Sequence, residues 1–317
     1  MKILANDGIS QNAIEILTKA GYDVITTKVS QNQLIDFINK EDIKILLVRS
    51  ATQARKDLID ACPSLKLIGR GGVGMDNIDV KYAQEKGIKV INTPNASSDS
   101  VAELVFAHLF SGVRFLYDSN RNMPLEGDTL FSELKKKYAK GKELQGKTLG
   151  IIGIGRIGKS VARIALGLGM KVITYDPHHQ GVIITLSFFD GRFLDFDIPN
   201  VSKEDLLKSS DFITLHVPSQ KEPIIGEKEF NLMKDGAGII NLARGGVVDE
   251  KALLNALDEG KVAFAGLDVY ENEPTPSIKI LMHPNVSLSP HIGAATLEAQ
   301  DRIGEELASL IIDYFKN

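Results

Sequence analysis

The sequence predicts an α/β protein built on two parallel sheets. Three observations lead there. Eleven short runs of Val, Ile and Leu recur along the chain. They are continuous rather than alternating, which marks strands buried on both faces. A helical pattern follows nearly every run, and helices between strands cover both faces of a parallel sheet. Finally, a glycine loop, IIGIGRIG at residues 151–158, opens a dinucleotide fold only midway along 317 residues. A chain of that length holds about two domains, so the runs before the loop form a sheet of their own.

Taken in order, the first-domain runs are KILAND, YDVITT, KILLVRS, LKLIGRGGVG and KVINTP. SSDSVAELVFAHLF then reads as a helix capped near Ser98 or Asp99, because a short polar side chain satisfies the free N–H groups of the first turn. The second set is TLGIIGIG, KVITYD, DFITLHVP, AGIINLARGG, FAGLDVYENEP and NVSLSPHIG, and a last helix spans roughly 295–315. Between Asp176 and Asp211 lies an extra stretch, GVIITLSFFDGRFLDF. Its two β-prone runs flank Asp190-Gly191, a hairpin signal. It reads as a ribbon added at the sheet edge, with an altered adenosine pocket or a subunit contact as the sharper alternative. Its exposed Phe residues are a liability unless covered.

Composition narrows the function. The chain is 43% hydrophobic and 25% charged, with a net charge of −4 and a pI near 5.9. No basic field invites nucleic acid. The single cysteine, Cys62, excludes an internal disulfide and fits a reducing compartment. The N-terminus has too short an apolar stretch for a signal peptide, and no run is long enough to span a membrane. The expected location is the cytoplasm, with neither nucleic acid nor membrane as partner.

The glycine loop lies between a strand pattern and a helix pattern, and that context gives it meaning. Gly153 permits the tight turn, Gly155 lets the backbone approach a diphosphate, and Gly158 lets the helix pack on the strand. The helix N-terminus offers free N–H groups to the anion. Asp176 ends the next strand, where a carboxylate accepts the ribose hydroxyls and repels a 2′-phosphate, so NAD is favoured over NADP. Arg156 either pairs with Asp176 or touches phosphate.

Ligands in such sheets lie beyond the carboxyl ends of the strands. The polar side chains there are Arg244, then Asp268, Glu271 and Glu273, then His291. Arg244 can grip a substrate carboxylate with two parallel hydrogen bonds. His291 can take the proton of a carbinol while hydride leaves. Glu273 is the acid chosen to fix the His291 tautomer and stabilise the imidazolium. Among the other histidines, His216 precedes Val217-Pro218 at a strand end near the cofactor path, and His178 and His179 follow Asp176. His108 reads as a packed core residue and His283 as loop punctuation. No His/Cys/Asp/Glu cluster has metal-ligand spacing, so no metal is expected.

LLVRSAT, LIGRGGVGMDNIDV, INTPNASSDSVAEL, GKTLGIIGIGRIGK, DFITLHVP, NLARGGVVDE, AGLDVYENEP and PHIGAAT, in this order, span about residues 44–300. Together they resemble the D-isomer-specific 2-hydroxyacid dehydrogenase family, most nearly its phosphoglycerate-oxidising branch. The resemblance implies two Rossmann-like, flavodoxin-like domains. The dinucleotide-binding domain, 99–290, is inserted into a discontinuous substrate domain, 1–98 with 291–317. It implies a catalytic set of Arg244, Glu273 and His291. Cofactor contacts fall at Gly153, Gly155, Arg156, Ile157, Gly158, Asp176, His216, Val217, Pro218, Leu242, Ala243, Arg244, Asp268, His291 and Gly293, Asp268 taking the nicotinamide carboxamide. Substrate contacts fall at Arg49, Ser50, Arg70, Gly72, Val73, Gly74 and Arg244. The implied partner is a small phosphorylated 2-hydroxy acid in a crevice walled by two lobes.

The implied reaction is NAD-dependent oxidation of 3-phosphoglycerate to 3-phosphohydroxypyruvate, the first step toward serine, in a homodimer joined through the dinucleotide domains. The alternatives are the same chemistry on glyoxylate, hydroxypyruvate or a phosphorylated sugar acid, or a nucleotide-sensing protein without catalysis. A sensor needs no general base, which the Arg/Glu/His set supplies. Lys135 to Lys142 reads as a solvated helix end rather than a phosphate contact. The sequence ends at Asn317, so feedback through a C-terminal serine-sensing domain is not expected.

Overall fold

A computed structural model describes residues 1–316. The chain divides into two compact units, Met1–Ser100 with Ala294–Asn317, and Val101–Gly293. The first contains β1 (Lys2–Ala5), α1 (Gln11–Lys19), β2 (Asp23–Ile25), α2 (Leu34–Lys40), β3 (Ile45–Val48), α3 (Lys56–Ala61), β4 (Leu67–Arg70), α4 (Val80–Glu85) and β5 (Lys89–Asn92). Its sheet is wholly parallel, in the order β2-β1-β3-β4-β5, the flavodoxin-like winding. The continuous apolar runs are the reason. Every residue of β3 is buried, so helices must cover both faces. One face packs Leu34, Ile38, Leu58 and Ile59. The other packs Leu17 of α1 and Ile303, Leu307 and Ile311 of the last helix, which returns to this unit.

The chain continues through α5 (Ser98–Val113), α6 (Leu116–Glu126) and α7 (Phe131–Lys137). The second unit then builds β6 (Thr148–Ile152), α8 (Arg156–Gly167), β7 (Lys171–Tyr175), β8 (Gly181–Ser187), β9 (Phe193–Pro199), α9 (Lys203–Ser209), β10 (Phe212–Leu215), α10 (Glu227–Leu232), β11 (Ala237–Asn241), α11 (Glu250–Asp258), β12 (Val262–Leu267), α12 (Ile278–Met282) and β13 (Val286–Leu288). The final helix is α13 (Leu297–Lys316). The second sheet is parallel, in the order β13-β12-β11-β10-β6-β7. The winding reverses between β6 and β10, which is where a doubly wound sheet opens its crevice.

Beyond β7 a third strand is reduced to one bridge, Thr174 to Asn200. The extra stretch before it is the antiparallel ribbon β8–β9, in register from Gly181↔Pro199 to Ser187↔Phe193. Alternation decides its faces. Ile184 and Ile198 are buried beside α8, with Val182 and Phe196 against them. Phe188, Phe189 and Phe193 at the tip stay exposed.

Candidate active site

The glycine loop forms a strand-to-helix turn with the geometry a diphosphate requires. Gly153 has φ 93°, a left-handed value that favours glycine. A Cβ on it would strike the His216 carbonyl, and one on Gly158 would strike the Gly153 carbonyl. A Cβ on Gly155 would meet only open space, so the backbone there is approachable from outside. Gly155 is also the N-cap of α8, whose first N–H groups point into that space. Ile154 N–H donates to Asp176 Oδ2 at 3.0 Å and His178 N–H to Oδ1 at 2.9 Å. The side chain that meets Asp176 is His179, Nδ1 to Oδ1 at 3.2 Å, and not Arg156. Burial pushes the Asp176 carboxyl up, but the His178 and Ile154 N–H groups and His179 hold it below its usual value.

His216 reaches the cradle through its main chain. Its N–H donates to Ile152 and its carbonyl backs Gly153. Its ring is turned inward: Nε2 lies 3.0 Å from Thr214 Oγ1 and Nδ1 has no partner. Burial drives that imidazole down to about 3, so it is neutral. Val217 is half-buried and Pro218 exposed. Arg156, Ile157, Val217 and Pro218 thus follow the carboxyl ends of β6 and β10. This donor set fits a dinucleotide: an open glycine, a free helix N-terminus and a charged acid at the ribose position.

Three adjacent strands, β11, β12 and β13, carry the polar set. Asn241 ends β11 and folds the turn after it, taking Ala243 N–H on Oδ1 and donating from Nδ2 to the Arg244 carbonyl, both at 3.0 Å. Leu242 and Ala243 are buried and Arg244 emerges half-buried, with Nη1 on the Ala243 carbonyl. Beyond β12, Glu273 Oε2 lies 2.7 Å from His291 Nδ1, while Oε1 takes the Tyr270 N–H at 3.0 Å. Both ends of that carboxylate are thereby fixed, and the His291 side chain is 46% exposed. His291 itself has φ 55°, left-handed for a non-glycine residue, a conformation found where surroundings impose it.

The loops bearing Arg244 and Glu273 are stitched together. Glu250 N–H donates to Glu271 Oε1 and Glu271 N–H to Glu250 Oε1, at 2.9 and 2.8 Å. Gly245 lies so close to the Tyr270 carbonyl that no Cβ fits. Glu271 is exposed and takes part in this clasp through both its carboxylate and its N–H. Asp268 is 1% exposed and takes Ser289 Oγ–H, Ile292 N–H and Gly293 N–H.

In the first unit, Arg49 and Arg70 flank one asparagine. Arg70 Nε donates to Asn77 Oδ1, and Asn77 Nδ2 donates to the Arg49 and Thr52 carbonyls. Asp7 takes the Arg49 and Thr52 N–H groups. Gly72 has φ 145° and its N–H donates to Thr93 Oγ1, with the Arg70 guanidinium close against it. Ser50 and Val73 are exposed and Gly74 is half-buried. Asn77, Asp7, Asn241 and Asn200, whose amide ties the Asp176 and His179 carbonyls, escaped the sequence reading. Their signal is only a polar residue near a strand end. His108 is a packed core residue, as expected, and is hydrogen-bonded through both nitrogens. His283 lies in the loop after α12, as expected, where it accepts Asn285 N–H and meets Asp258. Among the described residues, no cluster of three or more His, Cys, Asp or Glu is placed to hold a metal, and no helix is long and apolar enough to cross a membrane.

A doubly wound sheet with a dinucleotide cradle and a carboxylate-backed histidine defines a nicotinamide-linked dehydrogenase. Residues 106–293 match the model of the D-isomer specific 2-hydroxyacid dehydrogenase NAD binding domain. A hydroxypyruvate reductase of Thermotoga maritima is 43% identical, over 98% of this chain and 97% of its own. A D-3-phosphoglycerate dehydrogenase of Methanocaldococcus jannaschii is 42% identical over 98% of this chain, which spans 57% of that protein's length. The solved structure of an NAD+-bound 3-phosphoglycerate dehydrogenase from Entamoeba histolytica superimposes with a TM-score of 0.78 at 30% identity, covering 100% of this chain and 96% of that one. The chain belongs to the D-isomer specific 2-hydroxyacid dehydrogenase family, and its activity is that of an NAD-dependent 2-hydroxyacid dehydrogenase.

Proposed function

We propose that this enzyme oxidises 3-phosphoglycerate to 3-phosphohydroxypyruvate, the step that opens serine synthesis. The observation that carries the chemistry is the 2.7 Å contact between Glu273 and His291. With Nδ1–H donated to Glu273, Nε2 is bare and takes the proton of the C2 hydroxyl as the base. Glu273 then stabilises the imidazolium, and Tyr270 N–H keeps the carboxylate from turning away. Arg244 grips the substrate carboxylate with its planar fork. NAD, held by the glycine loop and Asp176, supplies the hydride acceptor. Gly293 and the buried Asp268 line the carboxamide position, Asp268 Oδ2 retaining acceptor capacity beyond Gly293 N–H.

The phosphate is assigned to Arg49 and Arg70, since a substrate with a small neutral side chain needs no such cations. Ser50 and the Gly72–Gly74 backbone are assigned to the rest of the substrate. A second reading is favoured by the Thermotoga relative, which matches over nearly its full length: reduction of hydroxypyruvate. Oxidation of NADH against a panel of 2-keto acids decides. 3-Phosphohydroxypyruvate is expected to give the highest kcat/KM, and a higher value for hydroxypyruvate overturns the phosphate assignment. Arg70→Ala should raise KM for the phosphorylated substrate more than for its unphosphorylated counterpart. Equal effects would remove Arg70 from that role.

The enzyme is further proposed to work as a cytoplasmic homodimer joined through the dinucleotide-binding unit. Cys62 is buried, its thiol pushed up to about 11, consistent with a reducing compartment. α6 buries none of its residues and exposes Leu116, Met123 and Leu125, next to exposed Phe131, a surface that a second copy would cover. Light scattering that returns a monomer mass overturns the dimer.

A further inference from the structure

The segment bearing His291 is held from behind by hydrogen bonds that the reaction does not use. Asp268 Oδ1 takes the Ser289 hydroxyl at 2.6 Å and the Ile292 N–H at 2.8 Å, and Oδ2 takes the Gly293 N–H at 2.9 Å. Ser289 Oγ also lies 2.9 Å from His108 Nε2, and His108 Nδ1 lies 2.8 Å from Ser287 Oγ. His108 is 4% exposed and reaches the strands because residue 266 is glycine. A Cβ there would lie 2.7 Å from His108 Cβ.

The proton order along this chain is forced. A carboxylate only accepts, so the Ser289 hydroxyl proton points at Asp268. Ser289 Oγ must then accept from His108, whose Nε2 carries the hydrogen. Nδ1 is left bare and accepts the Ser287 hydroxyl. The ring is a neutral imidazole in one tautomer, as its burial demands: desolvation lowers its pKa, and the Asp268 charge opposes this only in part.

We propose that His108 is a positioning residue for His291. It fixes the Ser289 hydroxyl on Asp268, so that both carboxylate oxygens stay committed to the backbone just after His291 and hold that residue at its left-handed φ. The proposal rests on the reading of His291 as the base. Tyr270 Oη–H donates to the Ser289 carbonyl at 2.8 Å, a second anchor that makes the expected loss partial.

The test uses the whole purified chain. Nitrogen-15 NMR of its histidines, without cofactor, should show His108 with the hydrogen on Nε2 and no titration between about pH 6 and 8. His108→Leu and Ser289→Ala should each lower kcat about tenfold and leave KM for NADH within about twofold. The double variant should fall no further than Ser289→Ala. His108→Gln, whose amide N–H can replace Nε2–H, should recover at least about half of the activity. An Nδ1–H tautomer, a ring that titrates in that range, a folded His108→Leu with unchanged kcat, or a Gln variant no better than Leu overturns the proposal. If His108→Leu does not fold, the tautomer and Ser289→Ala decide. His291→Ala is measured alongside. Its retention of turnover overturns the base assignment, whereas its loss together with an unaffected His108→Leu overturns only the role of His108.

Discussion

Asp176 and Asp268 follow parallel strands of the same sheet, and both take backbone N–H groups from a neighbouring loop. Their third partners differ. Asp176 meets His179, a ring 43% exposed. Asp268 meets Ser289, backed by the buried His108. The Asp176 carboxylate is itself buried but borders a half-exposed ring, where its charge can select a ligand. The Asp268 carboxylate is more deeply buried, and its oxygens fix a loop. Under the proposed assignments, the same residue at the same kind of strand end serves recognition or positioning according to what surrounds it.

The comparison breaks most sharply at the positioned end. His291→Ala should lower turnover at least about a hundredfold with NADH binding nearly unchanged, measured by steady-state kinetics and by quenching or enhancement of NADH fluorescence. Unchanged turnover removes the histidine from catalysis. Asp268→Ala leaves buried donors unpaired and should cost about 3 kcal/mol or more of unfolding free energy, read by urea denaturation. A loss below about 1 kcal/mol would mean that the loop does not depend on it.

At the recognising end the effect is smaller and of another kind. Asp176→Ala should shift the NADH-to-NADPH ratio of kcat/KM toward NADPH by about tenfold, with kcat at saturating NADH little altered. A wild-type enzyme preferring NADPH would refute the role of Asp176. Between the two ends, His216 links stability to pH. Its folded value near 3 lies below that of the unfolded chain. The stability it contributes is therefore complete above the unfolded pKa and is lost as pH falls toward 3, by at most about 1.4 kcal/mol per unit. His216→Asn should flatten that acid slope, and an unchanged slope contradicts a neutral, buried ring. The smallest effect belongs to the ribbon tip. Phe189→Ser should change stability by less than about 0.5 kcal/mol, leave kcat untouched and reduce self-association in sedimentation. A drop in kcat would tie the ribbon to the site.

The alternation of apolar runs with helical patterns, the glycine loop and the Asp190-Gly191 turn are local signals, and each reads out in the sequence because backbone sterics and periodicity act over a few residues. The placement of Arg244, Glu273 and His291 was legible for the same reason: each lies in the loop that follows a strand, and strand ends are where a parallel sheet presents side chains. Partnership was not legible. His108 and Ser289 are far apart in the chain, and nothing in the surroundings of His108 distinguishes a packed imidazole from one bonded at both nitrogens. Likewise Glu271 and Glu250 become a clasp, and His179 rather than Arg156 meets Asp176, only once loops from different strands are side by side. The sequence by itself determined the elements and the polar inventory at their ends, since these depend on near neighbours. Tertiary structure alone decided which donor met which acceptor, since a hydrogen bond requires two groups to lie within about 3 Å and sequence separation carries no distance.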